Sequence, residues 1–297
     1  MVGFLTKVAG VGLIGLAGFW LISAPARPSM AVYDGLTGDA KAGEAVFWAA
    51  GCASCHAAAD AEKDAQLVLQ GGQAFPSAFG TFIAPNISPD PVQGIGGWSL
   101  PEFAMAVTQG VGRNGEHLYP ALPYAAYNKM APQDVANLWA FIQTLPASAT
   151  PSQPHQVGFP FNIRRSLGVW KRMFVKNDWV VQGDLTPEQT RGRYIAEALA
   201  HCGECHSPRN ALGGIKRDNW LAGAPNPDGK GRVPNITPAK LSWSEDEIVE
   251  YLTSGFTPEY DSVGGHMVHV VENMARLPES DRRAVAAYLK LVAPQPN

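Results

Sequence analysis

The chain of 297 residues holds only four cysteines, and they fall in two short stretches, Gly51-Cys-Ala-Ser-Cys-His56 and His201-Cys-Gly-Glu-Cys-His206. The Cys-x-x-Cys spacing sets both thiols of a pair on one helical turn, and an imidazole follows directly. Several chemistries use such groups. An even cysteine count outside the cytoplasm defaults to disulfides, and Cys-x-x-Cys alone can be a redox pair. Neither explains the histidines. Zinc would need four ligands gathered from both stretches. Covalent haem c attachment uses all six residues: Cys52, Cys55, Cys202 and Cys205 form thioethers to the porphyrin, while His56 and His206 each ligate iron from one side.

The elements that must hold these stretches are duplicated. GEAVFWAAGCASCHA from Gly43 matches GRYIAEALAHCGECHS from Gly192, and each reads as one helix running into its cysteine motif. APNISPD (84–90) matches VPNITPA (233–239), WSLPEFAMAVTQGV (98–111) matches WSEDEIVEYLTSGF (243–256), and MAPQDVANLWAFIQTL (130–145) matches LPESDRRAVAAYLKLV (277–292). Four blocks in the same order make two copies of one domain. A zinc site spread over both motifs fits this badly, because each copy owns only two cysteines and one adjacent histidine. Haem c suits it.

Helix signals define each copy. Ser99 and Ser244 stand as N-caps three residues before Glu102 and Glu247, and Gly110 and Gly255 close the same helices. Pro132 and Pro278 open a last helix whose apolar residues, Val135, Leu138 and Ile142 or Val285, Tyr288 and Leu289, share a face. No alternating run of strand length occurs, so the expected fold class is all-α. The 31 glycines and 24 prolines predict short helices with long connections. A haem would supply much of the apolar core that so small a helical domain needs. Met1–Met30 carries Lys7 before an apolar run from Val8 to Ile22, read as a transmembrane helix or a signal segment, with Ala24-Pro25-Ala26 as a possible processing site. The expected organisation is 1–30 anchor or signal, 31–147 first domain, 148–185 linker and 186–297 second domain. A net charge of −3 and a pI near 6.2 give no case for nucleic acid.

The ligand opposite each histidine separates a closed electron relay from an open, reactive iron. In the first copy the stretch before the last helix offers Met130, with His117 or an open position as alternatives. The second offers Met267, with Met274, His266 and His269 behind it. The bland reading of a methionine is core filling.

GIGGWSLPEF, GEHLYPALPYAAYNKM, FPFNIRRSLGVWKRMF, CGECHSPRNALGG and GGHMVHVVENMARL are more specific than the haem motif. On these stretches the chain resembles the dihaem c-type cytochrome subunits of bacterial membrane-associated dehydrogenases that serve alcohol, gluconate and aldehyde oxidation. The resemblance covers nearly everything after residue 35. It implies two tandem class I cytochrome c domains with two covalently bound haem c groups. The chain would be an electron-transfer subunit on the periplasmic side of the inner membrane, with no substrate chemistry of its own. The implied partners are a dehydrogenase catalytic subunit of flavin, quinoprotein or molybdenum type, and a quinone, a cytochrome or a terminal oxidase. Met267 resembles the family's axial ligand. One departure is Leu122, where many relatives carry methionine before Pro123; leucine cannot ligate iron. That departure keeps a second class in view, a dihaem peroxidase or thiosulfate-oxidising enzyme, beside a component of an oxidase or cytochrome bc-type assembly. Asn86 and Asn235 read as turn formers, Arg209 as a propionate partner or a solvated cation, Trp98 and Trp243 as haem neighbours or core, and His155 and His201 as surface residues. The basic stretch 164–176 reads as a tether packed across both domains or as an amphipathic docking segment.

Overall fold

The computed structural model describes residues 15, 17–226, 229 and 231–296. Most of the apolar run from Val8, on which the anchor expectation rests, lies outside the described residues. Among those described, no helix is long and apolar enough to cross a membrane. Residues 17–22 are helical and lead into an extended segment through Pro25 and Pro28.

The first half runs α1 (Ala40–Ala49), α2 (Cys52–His56), a hairpin of β1 (Ala74–Ser77) and β2 (Gly80–Ile83), α3 (Leu100–Gln109), α4 (Tyr124–Tyr127) and α5 (Pro132–Ile142). Helix α6 (Ser166–Phe174) lies in the connection. The second half repeats the plan with α7 (Pro187–Tyr194), a π-helical turn (Ile195–Leu199), α8 (Gly203–His206), β3 (Ala224–Pro225), β4 (Arg232–Val233), α9 (Glu245–Ser254), α10 (Met267–Ala275) and α11 (Glu279–Leu291).

Local chemistry accounts for the helix ends. Ser99 and Ser244 form reciprocal capping boxes with Glu102 and Glu247, and Gly110 and Gly255 take the left-handed conformation at φ +61° and +79°. The cysteine helices depart from the single continuous helix that the sequence suggests. Gly51, at φ +65°, breaks α1 from α2, and His201, at φ +41°, does the same before α8. The two antiparallel hairpins also depart from a purely helical reading. The first pairs Phe75 with Phe82, and its outer strand bonds to the linker, where Thr81 N donates to Gln156 O at 3.0 Å. Strands of four and two residues, one of them paired to a distant segment, leave no periodic signal to read.

Two helix crossings organise the core. Gly43 in α1 lies so close to α5 that a Cβ there would collide with the Asn137 carbonyl and the Phe141 Cβ. Gly192 in α7 meets α11 in the same way, against the Ala284 carbonyl and the Tyr288 Cβ. Phe47, Ile195, Leu221 and Tyr288 are fully buried in the core that these crossings organise. Helix α6 acts as the expected tether: Lys171 Nζ donates to the Gln109 and Gly110 carbonyls of the first half, and Trp170 Nε1 donates to Leu212 O of the second at 2.8 Å.

Gly43→Ala and Gly192→Ala should each lower unfolding stability by about 1–3 kcal/mol in chemical denaturation, the usual cost of overpacking a closed contact. Gly158→Ala, which meets nothing within 4 Å, should leave it nearly unchanged.

Candidate haem-binding sites

In each half the motif helix presents both thiols from one turn, and the imidazole is aimed by a backbone carbonyl. His56 Nδ1 lies 2.8 Å from Pro85 O, and His206 Nδ1 lies 2.8 Å from Pro234 O. A carbonyl only accepts, so Nδ1 carries the proton and Nε2 keeps its lone pair. Burial holds both rings below the usual imidazole range, opposed by the same carbonyl bonds. The neutral ring with a free Nε2 is the form that ligates iron.

The loops that supply those carbonyls are built alike. Gly71 N and Gly223 N donate to the His56 and His206 carbonyls, each at 2.7 Å, and Ile87 N and Ile236 N bond back to Leu69 O and Leu221 O. Asn86 Oδ1 accepts from Ser88 N and Asn235 Oδ1 from Thr237 N, each at 2.9 Å, so both asparagines form the turns expected of them. Gly71 and Gly223 sit at φ +73° and +80°, pressed against Pro85 and Pro234 backbone, where a side chain would push the loop off the histidine.

The residues present fit covalent haem. All four cysteines are free of disulfides. Among the described residues no three of His, Cys, Asp and Glu converge as a metal-holding cluster, so the zinc alternative finds no ligand set. Met130 is 5% exposed, in the turn that opens α5, and Leu122 packs on the same core. Met267 opens α10, half-buried against the core, and Met274 is buried deeper in that helix. His117 is engaged elsewhere: its Nε2 is 2.9 Å from Ser23 O. His269 lies beside Glu272, and His266 precedes α10 in an exposed position.

The two motifs are neighbours. Tyr127 donates its hydroxyl to Ala50 O at 2.7 Å, just before the first motif, and its ring meets His201, just before the second, at 5.6 Å. Asn273 of α10 donates to Ser54 Oγ inside the first motif at 2.9 Å. Burial and the nearby Cys205 together push the Cys55 thiol up to about 11.

Several side chains differ from the sequence reading. His201 is packed between the motifs, and His155 accepts from Ile83 N at 3.0 Å while edging the Tyr119 and Phe82 rings, so neither is a surface residue. Arg209 is tied into its own motif by Glu204 and the Gly213 carbonyl. Trp243 packs on Tyr251 at 5.1 Å, and Trp98 is half-buried.

The sequence reading missed the role of Glu197. This carboxylate, 2% exposed, lies in the π turn and accepts from Val180 N (2.6 Å), Val181 N (3.0 Å) and the Tyr288 hydroxyl (2.9 Å). Tyr288 in turn accepts from Trp220 Nε1 at 2.9 Å, and the Trp220 ring covers Gly203 inside the second motif. A signal existed: Gly43 stands nine residues before Cys52, whereas Gly192 stands ten before Cys202. The extra residue is taken up as the π turn.

The chain is similar to several known proteins. A family model described as cytochrome c matches residues 40–146. A diheme cytochrome c-type protein of Cereibacter sphaeroides is 54% identical over 287 residues, covering 96% of this chain and 97% of that protein. The fructose dehydrogenase cytochrome subunit of Gluconobacter japonicus is 39% identical over 82% of this chain and 50% of its own length. The gluconate 2-dehydrogenase cytochrome c subunit of Pantoea cypripedii is 32% identical over 84% of this chain and 58% of its own. The chain thus spans about half the length of these two dehydrogenase subunits.

Gly203→Ala should displace the Trp220 indole, read as a change in tryptophan fluorescence with a loss of about 1–3 kcal/mol of stability. Trp220→Phe in the same chain should recover part of that loss by opening space.

Proposed function

The chain belongs to the family of dihaem c-type cytochromes that includes cytochrome subunits of dehydrogenases, and from that premise we propose that it is a dihaem electron relay. Its two tandem domains, 31–147 and 186–297, would each hold one covalent haem c, and the relay would run between a dehydrogenase catalytic subunit and an acceptor of the respiratory chain. The observation that carries this reading is the pair of matched motifs, each with its histidine held by a proline carbonyl at 2.8 Å, set side by side in one core.

Each haem, when bound, supplies an iron that takes up and returns one electron. The residues do the rest. Cys52 with Cys55, and Cys202 with Cys205, would tether the two groups. Pro85 and Pro234 fix the imidazole tautomer and leave Nε2 for iron. Met130 and Met267 would each supply a thioether to an iron, and that thioether in place would close it to peroxide or other substrates. Packing of Tyr127, Ala50 and His201 between the motifs keeps the two sites in fixed relation, so neither need move as charge passes.

The relay would sit on the periplasmic side of the inner membrane, with the apolar N-terminal segment as its anchor. Support comes from the way the end of that segment is held. Trp20 and Leu21 are 63% and 73% exposed, whereas Ser23 is wholly buried. Arg165 donates to Trp20 O (2.6 Å) and Ser23 Oγ (3.1 Å), Arg172 donates to Ile22 O (2.8 Å), and His117 reaches Ser23 O. Cations at a helix C-terminus are where its dipole favours them.

Replacing Cys52 and Cys55 by serine should remove one of two covalently bound haems per chain, and replacing Cys202 and Cys205 should remove the other. The pyridine haemochrome assay reads both; a chain that retains two haems after either change would refute the assignment. Loss of the weak far-red ferric band in Met130→Leu or Met267→Leu should identify the axial methionines. N-terminal sequencing of protein from the membrane fraction should find Met1 or its neighbour, and a start just after Ala26 would overturn the anchor.

A further inference from the structure

The two halves repeat the same helix crossing with opposite electrostatic content. Phe47 and Glu197 both stand five residues before the first cysteine of their motif. In the first half Phe47 meets Phe141 of α5, ring centroids 5.1 Å apart, in a wholly apolar contact. In the second half Glu197 meets Tyr288, the residue of α11 that corresponds to Phe141 at the glycine crossing. An aromatic pair has become a buried carboxylate with a hydroxyl donor.

This carboxylate differs from the other buried one among the described residues. Asp281 is met by Arg191 through two bonds of 2.8 and 2.7 Å, so its charge is matched in place. Glu197 meets only neutral donors: two backbone amides and a phenol. Three donors suit an ionised carboxylate and leave its charge unneutralised. Lys129, across the junction, feels that charge but bonds to Ala125 O and Asn128 Oδ1. Arg193 is turned to the Val181 carbonyl and the Trp179 ring. The Tyr288 hydroxyl, bonded to Glu197, also accepts from Trp220 Nε1 at 2.9 Å, and the Trp220 ring covers Gly203, so two side chains separate the charge from the second motif.

We infer that Glu197 sets the order of the two redox centres: the second domain's haem is the lower in potential and the first domain's the higher. The inference rests on the dihaem reading. A buried anion favours the oxidised iron, which carries one more positive charge than the reduced form, and the low dielectric of the interior strengthens the effect. The first domain has Phe47 in that place. A single electron arriving from the reduced cofactor of the dehydrogenase would therefore settle on the first domain's iron, leaving the second re-oxidised. Glu197 is a positioning and tuning residue, acting through Tyr288 and Trp220 on the second motif rather than by contact with a reactant.

Spectroelectrochemical titration of the full chain tests this. In Glu197→Gln the lower of the two potentials should rise, changing the reduced-to-oxidised ratio at fixed applied potential by roughly threefold to tenfold, while the higher one holds. Tyr288→Phe keeps the charge but removes a donor, so the lower potential should move the other way. General loosening of the site would move both variants in the same direction, and that result would overturn the inference. So would a Glu197→Gln shift confined to the higher-potential centre, or none in either variant. Should Glu197→Gln fail to fold, Tyr288→Phe still decides by the direction of its shift. A wild-type chain with fewer than two covalent haems would instead refute the dihaem reading itself, independently of Glu197.

Discussion

The bond from a histidine Nδ1 to a proline carbonyl is the interaction on which the rest of this structure depends. Iron needs an imidazole in one tautomer, facing one way, and a free ring on a short helix supplies neither. Pro85 and Pro234 supply both, because a carbonyl can only accept and its position is set by the loop that carries it. Those loops are then held by Gly71 and Gly223, whose amides return a bond to the histidine carbonyls. The duplicated Pro-Asn stretches, which as sequence look like turns, are thus the frame of each motif histidine.

The frame must also hold when the apolar group between the helices is large and rigid. Gly43 and Gly192 let the first and last helices of each half touch backbone to backbone, which fixes one wall independently of side-chain adjustment. Capping boxes at Ser99 and Ser244 with left-handed glycines at Gly110 and Gly255 limit the helix between those walls to ten residues. Short helices with defined ends leave the remaining backbone to wrap the site, and this is why so much of the chain is loop.

Much of this was legible in the residues. Capping pairs and the last helix in each half are local signals that survive folding unchanged. What was not legible depends on long-range neighbours. Nothing near His201 or His155 announces that Tyr127 and Tyr119 will pack on them. The hairpins are too short for periodicity, and the first is completed by Gln156, more than seventy residues beyond Thr81. His117 looked available as a ligand because the partner of its Nε2 is a backbone carbonyl at Ser23, invisible to any pattern. The π turn lay between, since its extra residue can be counted but its consequence cannot.

Duplication makes that last point an argument rather than a detail. Two copies of a domain start with equal sites, and equal sites give an electron no preferred resting place. A difference must then enter without disturbing the shared crossing of helices. A one-residue insertion before the second motif does this: the π turn absorbs it, Gly192 keeps its contact with α11, and a carboxylate takes the place where the first copy keeps Phe47. The hydroxyl of Tyr288 and the amides of Val180 and Val181 make the buried charge tolerable, since an unbonded carboxylate there would cost several kcal/mol. The amides come from the segment that enters the second domain, so the linker is part of the tuning and not only a tether. Symmetry in the scaffold and asymmetry in one buried contact are therefore compatible, and the second can change without refolding the first.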